Sequence, residues 1–146
     1  MEREIFSVKQ KIRKKGKNRM YKQIIICIII VLLVIALDIW TQTYTKESVT
    51  EIIGSLNELK ESVMLEKLDI AKEQIDETIN KWDKRYEHLS YYIEHNELEK
   101  VKTELVGLKA NVEVEQYGEA AGDIDRSIFI LEHIKQKMEL QIKNIF

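Results

Sequence analysis

The sequence predicts an all-α protein, with a single N-terminal transmembrane helix followed by an extracytoplasmic bundle of about four amphipathic helices. Three observations lead there. The 146-residue chain has no proline and five glycines, too little turn chemistry for an all-β fold. Apolar residues make up 45%, enough for a core and too many for disorder. Finally, residues 1–23 hold nine Lys or Arg against two Glu, a net +7. The remainder therefore carries −9, and an unbroken apolar run over residues 24–37 separates the two charge regimes. The lone Cys27 has no partner in the chain and excludes a disulfide scaffold.

The first element is a basic cytoplasmic arm, residues 1–19. Met1, Ile5, Val8 and Ile12 recur at helical spacing among Lys9, Lys11, Arg13, Lys14, Lys15, Lys17 and Arg19. A basic amphipathic segment of this kind lies on anionic headgroups at about 1 kcal/mol per cation. With Lys22, these eight cations are the candidate lipid contacts; the plainer reading makes the charge only a topology signal. No nucleic-acid fold or aromatic platform accompanies them.

The second element is the span, residues 20–40. Fourteen apolar residues cover only about 21 Å of a roughly 30 Å hydrocarbon layer. Met20, Tyr21, Ile39 and Trp40 lengthen the run, Lys22 can snorkel, and Tyr21 and Trp40 serve as interface anchors. A buried core helix fits poorly beside so many cations. A cleaved signal peptide would need a small-x-small pair, and Ala36-Leu37-Asp38-Ile39-Trp40 offers none. Cys27 follows Ile26 near the start of the run, the wrong place for lipid attachment. Only Lys46 is cationic in the ten residues after the span, so the N-terminus is cytoplasmic and residues 41–146 lie outside, at the cell membrane. Asp38 stands at the outer boundary, where interfacial depth tolerates its charge or a neighbouring membrane protein pairs with it. No small-x-x-x-small spacing indicates homo-oligomer formation through the span.

The outer domain, residues 41–146, reads as successive apolar stripes. A stem at about 44–63 carries Val49, Ile52 or Ile53, Leu56, Leu59 and Val63. After a soft break at 64–66, a helix at about 66–94 carries Leu68, Ala71, Ile75, Ile79, Trp82, Tyr86, Leu89 and Ile93. Asn96 with Glu99 forms a capping-box pattern for a third helix at about 97–113, whose stripe is Leu98, Val101, Leu105, Leu108 and Val112. A polar junction leads to a fourth at about 117–137, with Ala121, Ile124, Ile128, Leu131 and Ile134, and then to a docked tail at 138–146. Short connections between such stripes predict an up-down bundle.

Trp82 sits on an apolar face and is expected to be a core anchor. Tyr91 and Tyr92 point about 100° apart on a helix, so one of the two faces outward. With Asp38 they are the candidate partner contacts. Glu73, Asp76, Glu77, Glu97 and Glu104 read as solvated surface, and Glu77 and Lys81 as a supporting four-residue pair.

The membrane anchor, the Lys81-Trp82 helix, the string from Leu89 to Glu99 (LSYYIEHNELE), and Leu131-Glu132-His133-Ile134 with the terminal LQIKNIF together resemble the bacterial family known as domain of unknown function 4363. The likeness covers residues 24–146. It implies a small, N-terminally anchored helical protein of the kind found mostly in spore-forming Gram-positive bacteria, and it implies no activity.

The residues themselves give no catalytic, metal or cofactor-binding set. His88, His95 and His133 are preceded at three residues by Arg85, Tyr92 and Ile130, not by the Glu of a di-iron bundle. Phosphate loops and nucleophile elbows are absent. His95 and His133 therefore read as hydrogen-bonding or packing residues. The expectation is a non-enzymatic, single-pass interaction, scaffold or accessory subunit that acts through its outer domain on another membrane protein, with membrane lipid as its surroundings. Two alternatives stand beside it: a division-type bitopic coiled-coil protein, and an extracytoplasmic ligand-sensing bundle with a separate output partner.

Overall fold

The structure, a computed structural model, describes the backbone of residues 2–143 and the side chains of residues 20–139. Among the described residues there are four α-helices and no strand: α1 Glu2–Met64, α2 Leu68–Leu89, α3 His95–Glu113 and α4 Tyr117–Lys143. Residues 1–41 and 42–146 form separate compact units.

In the first unit the apolar side chains of residues 24–37 are all at least a third exposed, as is Cys27. The one helical stretch among the described residues long and apolar enough to cross a membrane is Met20–Met64, with a mean hydropathy of 3.1 in its most apolar window and no part of that window buried. The Thr41 hydroxyl donates to the Asp38 carbonyl at 2.9 Å. The cations from Lys9 to Arg19 lie outside the residues whose side chains are described.

The second unit is an up-down bundle in which each helix is bonded to both neighbours. Arg85 on α2 holds Glu51 on α1, and Lys102 on α3 reaches Asp83 on α2 at 3.0 Å. Arg126 on α4 meets Glu104 on α3 at 2.9 Å, and Lys60 on α1 meets Asp125 on α4 at 2.5 Å. Inside lie Val49, Ile52, Leu56, Leu59 and Val63 from α1, Ala71, Ile75, Trp82 and Leu89 from α2, the whole expected stripe of α3, and Ala120, Ile124, Leu131 and Ile134 from α4. We call the end containing Gln42 the collar and the end containing the 65–67 and 114–116 turns the tip.

The two hairpins of this bundle repeat one another at a spacing of 49 residues. Leu56, Leu59, Lys60, Val63, Glu66, Ala71, Ile75, Asp76 and Ile79 recur as Leu105, Leu108, Lys109, Val112, Glu115, Ala120, Ile124, Asp125 and Ile128. The contacts repeat as well. Lys60 pairs with Asp125, and its counterpart Lys109 pairs with Asp76 at 2.7 Å, the reciprocity that a two-fold relation between hairpins requires. Both tip turns close the same way: Lys67 and Gln116 donate to the carbonyls of Ser62 and Asn111 at 2.9 Å, and Glu66 and Glu115 to those of Val63 and Val112. This is the Schellman pattern, whose left-handed position usually holds glycine. Here it holds Glu66 and Glu115, with φ of 53° and 61°.

A left-handed L-residue costs about 1–2 kcal/mol, and the extra freedom of glycine in the unfolded chain returns part of that. Glu66→Gly and Glu115→Gly are therefore each expected to stabilise residues 42–146 by about 0.5–1 kcal/mol, read as a higher urea midpoint. A lower midpoint would mean that the glutamate side chains hold the turns.

Four expectations change. The third helix starts at His95, with Glu94 in its cap position and no side-chain cap bond. Asn96 is thus inside the helix, and Glu99 is taken by Tyr86 at 2.9 Å. The fourth helix runs on to Lys143, through the segment expected to be a separate tail. Met138 packs against the core, while the side chains of residues 140–146 lie outside the description. On α4 the fully buried small residue is Ala120 and Ala121 is half-buried, because Asp123 and Ser127 turn inward with it. Finally, Glu97 and Glu104 are partly buried where they pair with Lys137 and Arg126 across a seam, whereas Asp76 stays exposed as expected while it pairs with Lys109.

Candidate functional site

Toward the tip the two hairpins match closely, whereas at the collar they diverge: Tyr44, Lys46, Arg85 and Tyr86 stand against Ile93, His95, Ile134 and Lys135. In the α1–α2 seam the Tyr44 and His88 rings lie 5.7 Å apart and the Arg85 guanidinium stands 5.4 Å from the Tyr44 ring. Arg85 donates to Glu51 from Nε at 3.0 Å and Nη2 at 2.6 Å, and from Nη1 to the Tyr44 hydroxyl at 3.4 Å. These bonds, Tyr44 first and Glu51 second, raise the Arg85 pKa above its ordinary value.

In the α2–α3 seam the Tyr86 hydroxyl donates to Glu99 at 2.9 Å and lies 2.8 Å from His95 Nδ1. A phenol has one proton to give, so His95 Nδ1 carries the proton of that second bond. Trp82 packs edge-on to Tyr86 at 6.3 Å, and the Lys102 amine stands 5.8 Å from the Tyr86 ring. Partial burial, then the bond to Glu99, raises the Tyr86 pKa.

Tyr92 caps the bundle from the 90–94 link. Its hydroxyl shares a hydrogen bond with the buried Thr45 at 3.1 Å, and burial raises its pKa above the ordinary 10.0. Folding therefore favours the neutral phenol, and the stabilisation is present below about pH 10 and lost as pH rises through the higher folded value. Urea midpoints of residues 42–146 should fall more shallowly above pH 10 in Tyr92→Phe than in wild type. An unchanged slope would show that Tyr92 does not titrate with unfolding.

Two cavities open at the collar. The larger, about 250 Å³, lies between α1 and α4 and is lined by Gln42, Thr45, Lys46, Lys135, Met138 and Glu139 among others. The smaller, about 60 Å³, lies beside Tyr92 and Ile93 and is crossed by Lys137, which bonds Glu94 at 3.0 Å and Glu97 at 2.7 Å. Among the described residues, no three His, Cys, Asp or Glu side chains converge as metal ligands.

The sequence-derived candidates are scattered. Asp38 is half-exposed in the first unit, where Tyr21 and Trp40 are exposed and Lys22 is solvent-facing. Tyr91 is 86% exposed in the second unit, so it is the outward member of the tyrosine pair, while Tyr92 packs against the core. Trp82 is 1% exposed, a core residue as expected. His95 is bonded and His133 is exposed. Sequence reading missed Tyr44, Arg85, Lys46 and Lys135. The 49-residue repeat would have found them, because at Lys135 and Arg85 the halves exchange charge for aromatic or apolar character.

A family model described as a domain of unknown function (DUF4363) matches residues 39–145. Neither the curated proteins nor the solved structures include a match.

Proposed function

This chain belongs to the family of domain of unknown function 4363, and we propose that it is a single-pass membrane subunit that holds another membrane protein through its outer bundle and does no chemistry of its own. The observation that carries this reading is the contrast between its two units. Residues 24–37 leave every apolar side chain uncovered, which in water would be an aggregating surface and in a bilayer is the stable state. The bundle, by comparison, buries its stripes within one chain and needs no partner to fold. Its exposed large apolar and aromatic side chains include Tyr91 at the collar, Met64, Leu65 and Val114 at the tip, and Ile70, Val106 and Phe129 on the outer faces of the helices. Helices that satisfy one another inside a chain also favour this reading over an extended coiled coil, which presents its seam to a second chain.

Orientation and partnership are tested together. With Cys27→Ala as background, a cysteine replacing the exposed Ser90 should react with an impermeant maleimide on intact cells, and one replacing Ser7 should not. Labelling of the second position alone reverses the orientation. A photo-cross-linking residue at Asp38 or Tyr91 should trap one defined heterologous protein in native membranes, and adducts only between copies would replace partner holding by self-association. The larger collar cavity favours a second reading, a sensing bundle that passes a ligand signal to a partner.

A further inference from the structure

We propose that the larger collar cavity binds a phosphate-type oxyanion, held by Lys46, Lys135 and the Gln42 amide. The two-fold relation between hairpins carries the argument. The seam between α1 and α4 corresponds, at the 49-residue spacing, to the seam between α3 and α2, so that Lys135 stands in the position of Tyr86 and Lys46 in that of His95. In the second seam those positions hold a phenol and an imidazole in contact at 2.8 Å. In the first they hold two ammonium groups, and both lysines line a cavity of about 250 Å³ between the helices. Two like charges facing one cavity are stabilised by an anion between them.

The other groups in the cavity fit the same ligand. Gln42 Nε2 is buried with no hydrogen-bond partner among the described atoms, while Gln42 lines the cavity. A buried donor without an acceptor costs about 1–3 kcal/mol, which an oxyanion there would recover. Lys46 makes no ion pair among the described residues, and the nearest carboxylate to Lys135 is Glu132 at 3.9 Å, the limit of an ion pair. Glu139, the remaining charged group of the lining, lies one turn beyond Lys135. It sets a second pole, so the cavity suits an anion that also carries hydroxyl or ammonium groups, as the headgroup of a phospholipid does. Gln42 follows Trp40 by two residues, so the inference that the anion comes from a lipid rests on reading residues 20–40 as a membrane span. Free phosphate offers the same oxygens.

The test uses the full chain in vesicles of digalactosyldiacylglycerol, which carries no phosphate. The vesicles are doped with photoactivatable phosphatidylglycerol or with photoactivatable diacylglycerol. Adducts from the phosphatidylglycerol probe are expected on peptides carrying residues 42–46 and 135–139. They should fall about tenfold in the double variant Lys46→Glu/Lys135→Glu and several-fold in Gln42→Leu, while adducts on the basic arm stay unchanged. Lys67→Gln at the tip should change nothing, and circular dichroism checks that each variant is folded. In parallel, inorganic phosphate is added to undoped vesicles and its phosphorus resonance is followed. Broadening by wild type but not by the double variant, without collar adducts, assigns the oxyanion to a soluble source. Equal collar labelling by the two probes, or neither adducts nor broadening, overturns the proposal. Loss of adducts from the arm and residues 20–40 alike counts against the span, and the phosphate measurement still decides the cavity.

Discussion

Trp82→Ala is expected to lower the stability of residues 42–146 by about 3–5 kcal/mol, the range for truncating a large aromatic in a core. The ring is 1% exposed and lies edge-on to Tyr86. Its Nε1 has no hydrogen-bond partner among the described atoms, so the loss is one of packing and apolar burial rather than of a bond. That gives the prediction a second arm: Trp82→Phe keeps most of the volume, removes the unpaired donor, and should cost under about 1.5 kcal/mol. For a domain of this size such a loss is a large part of the total, and Trp82→Ala should be partly unfolded at room temperature by circular dichroism. A urea midpoint near wild type for Trp82→Ala would take the residue out of the core.

Leu59→Ala and Leu108→Ala are expected to cost about 2–5 kcal/mol each, and to agree with one another to within about 1 kcal/mol. Both leucines are completely buried, both precede a lysine of a reciprocal seam pair, and both stand four residues before a valine that supplies a carbonyl to its tip turn. Truncation costs at chemically equal sites spread by several kcal/mol when their surroundings differ. Agreement is therefore informative about the surroundings, and a difference of more than about 2 kcal/mol would mean that the hairpins share a pattern without sharing a packing arrangement.

The four stripes of the bundle could be read from the sequence because burial at threes and fours is a local property. Val49 to Val63 and Leu98 to Val112 needed no knowledge of the rest of the chain. The αL turns were not legible: glutamate is a helix former with no preference for positive φ, and at Glu66 and Glu115 the Schellman closure overrides it. Asn96 and Glu99 made a correct capping pattern in the wrong place, because Tyr86, from another helix, claims the Glu99 carboxylate. The same limit hid the collar. Lys46 and Lys135 are 89 residues apart, and each alone is an ordinary surface lysine. Only the register of α1 against α4 sets them around one cavity, and register between helices is not written in either one. Tyr91 and Tyr92 were separable in principle but not assignable, since which of the two faces inward depends on where Thr45 stands.

Residues 90–94 connect hairpins whose seam is self-complementary, and this makes that short link a tether in the sense of chain statistics. A link of this length holds its two ends at an effective concentration in the millimolar range, so each hairpin closes on its own sibling before it meets a neighbour's. Cut the link, and residues 42–92 become a piece whose tip half is complementary to a second copy of itself, since Lys60 and Asp76 on one copy match Asp76 and Lys60 on the other, whereas its collar half, with Arg85 in the place of the buried Ile134, is not. The fidelity of folding in a crowded layer of such chains then rests less on what the seam recognises than on how few residues separate its two halves.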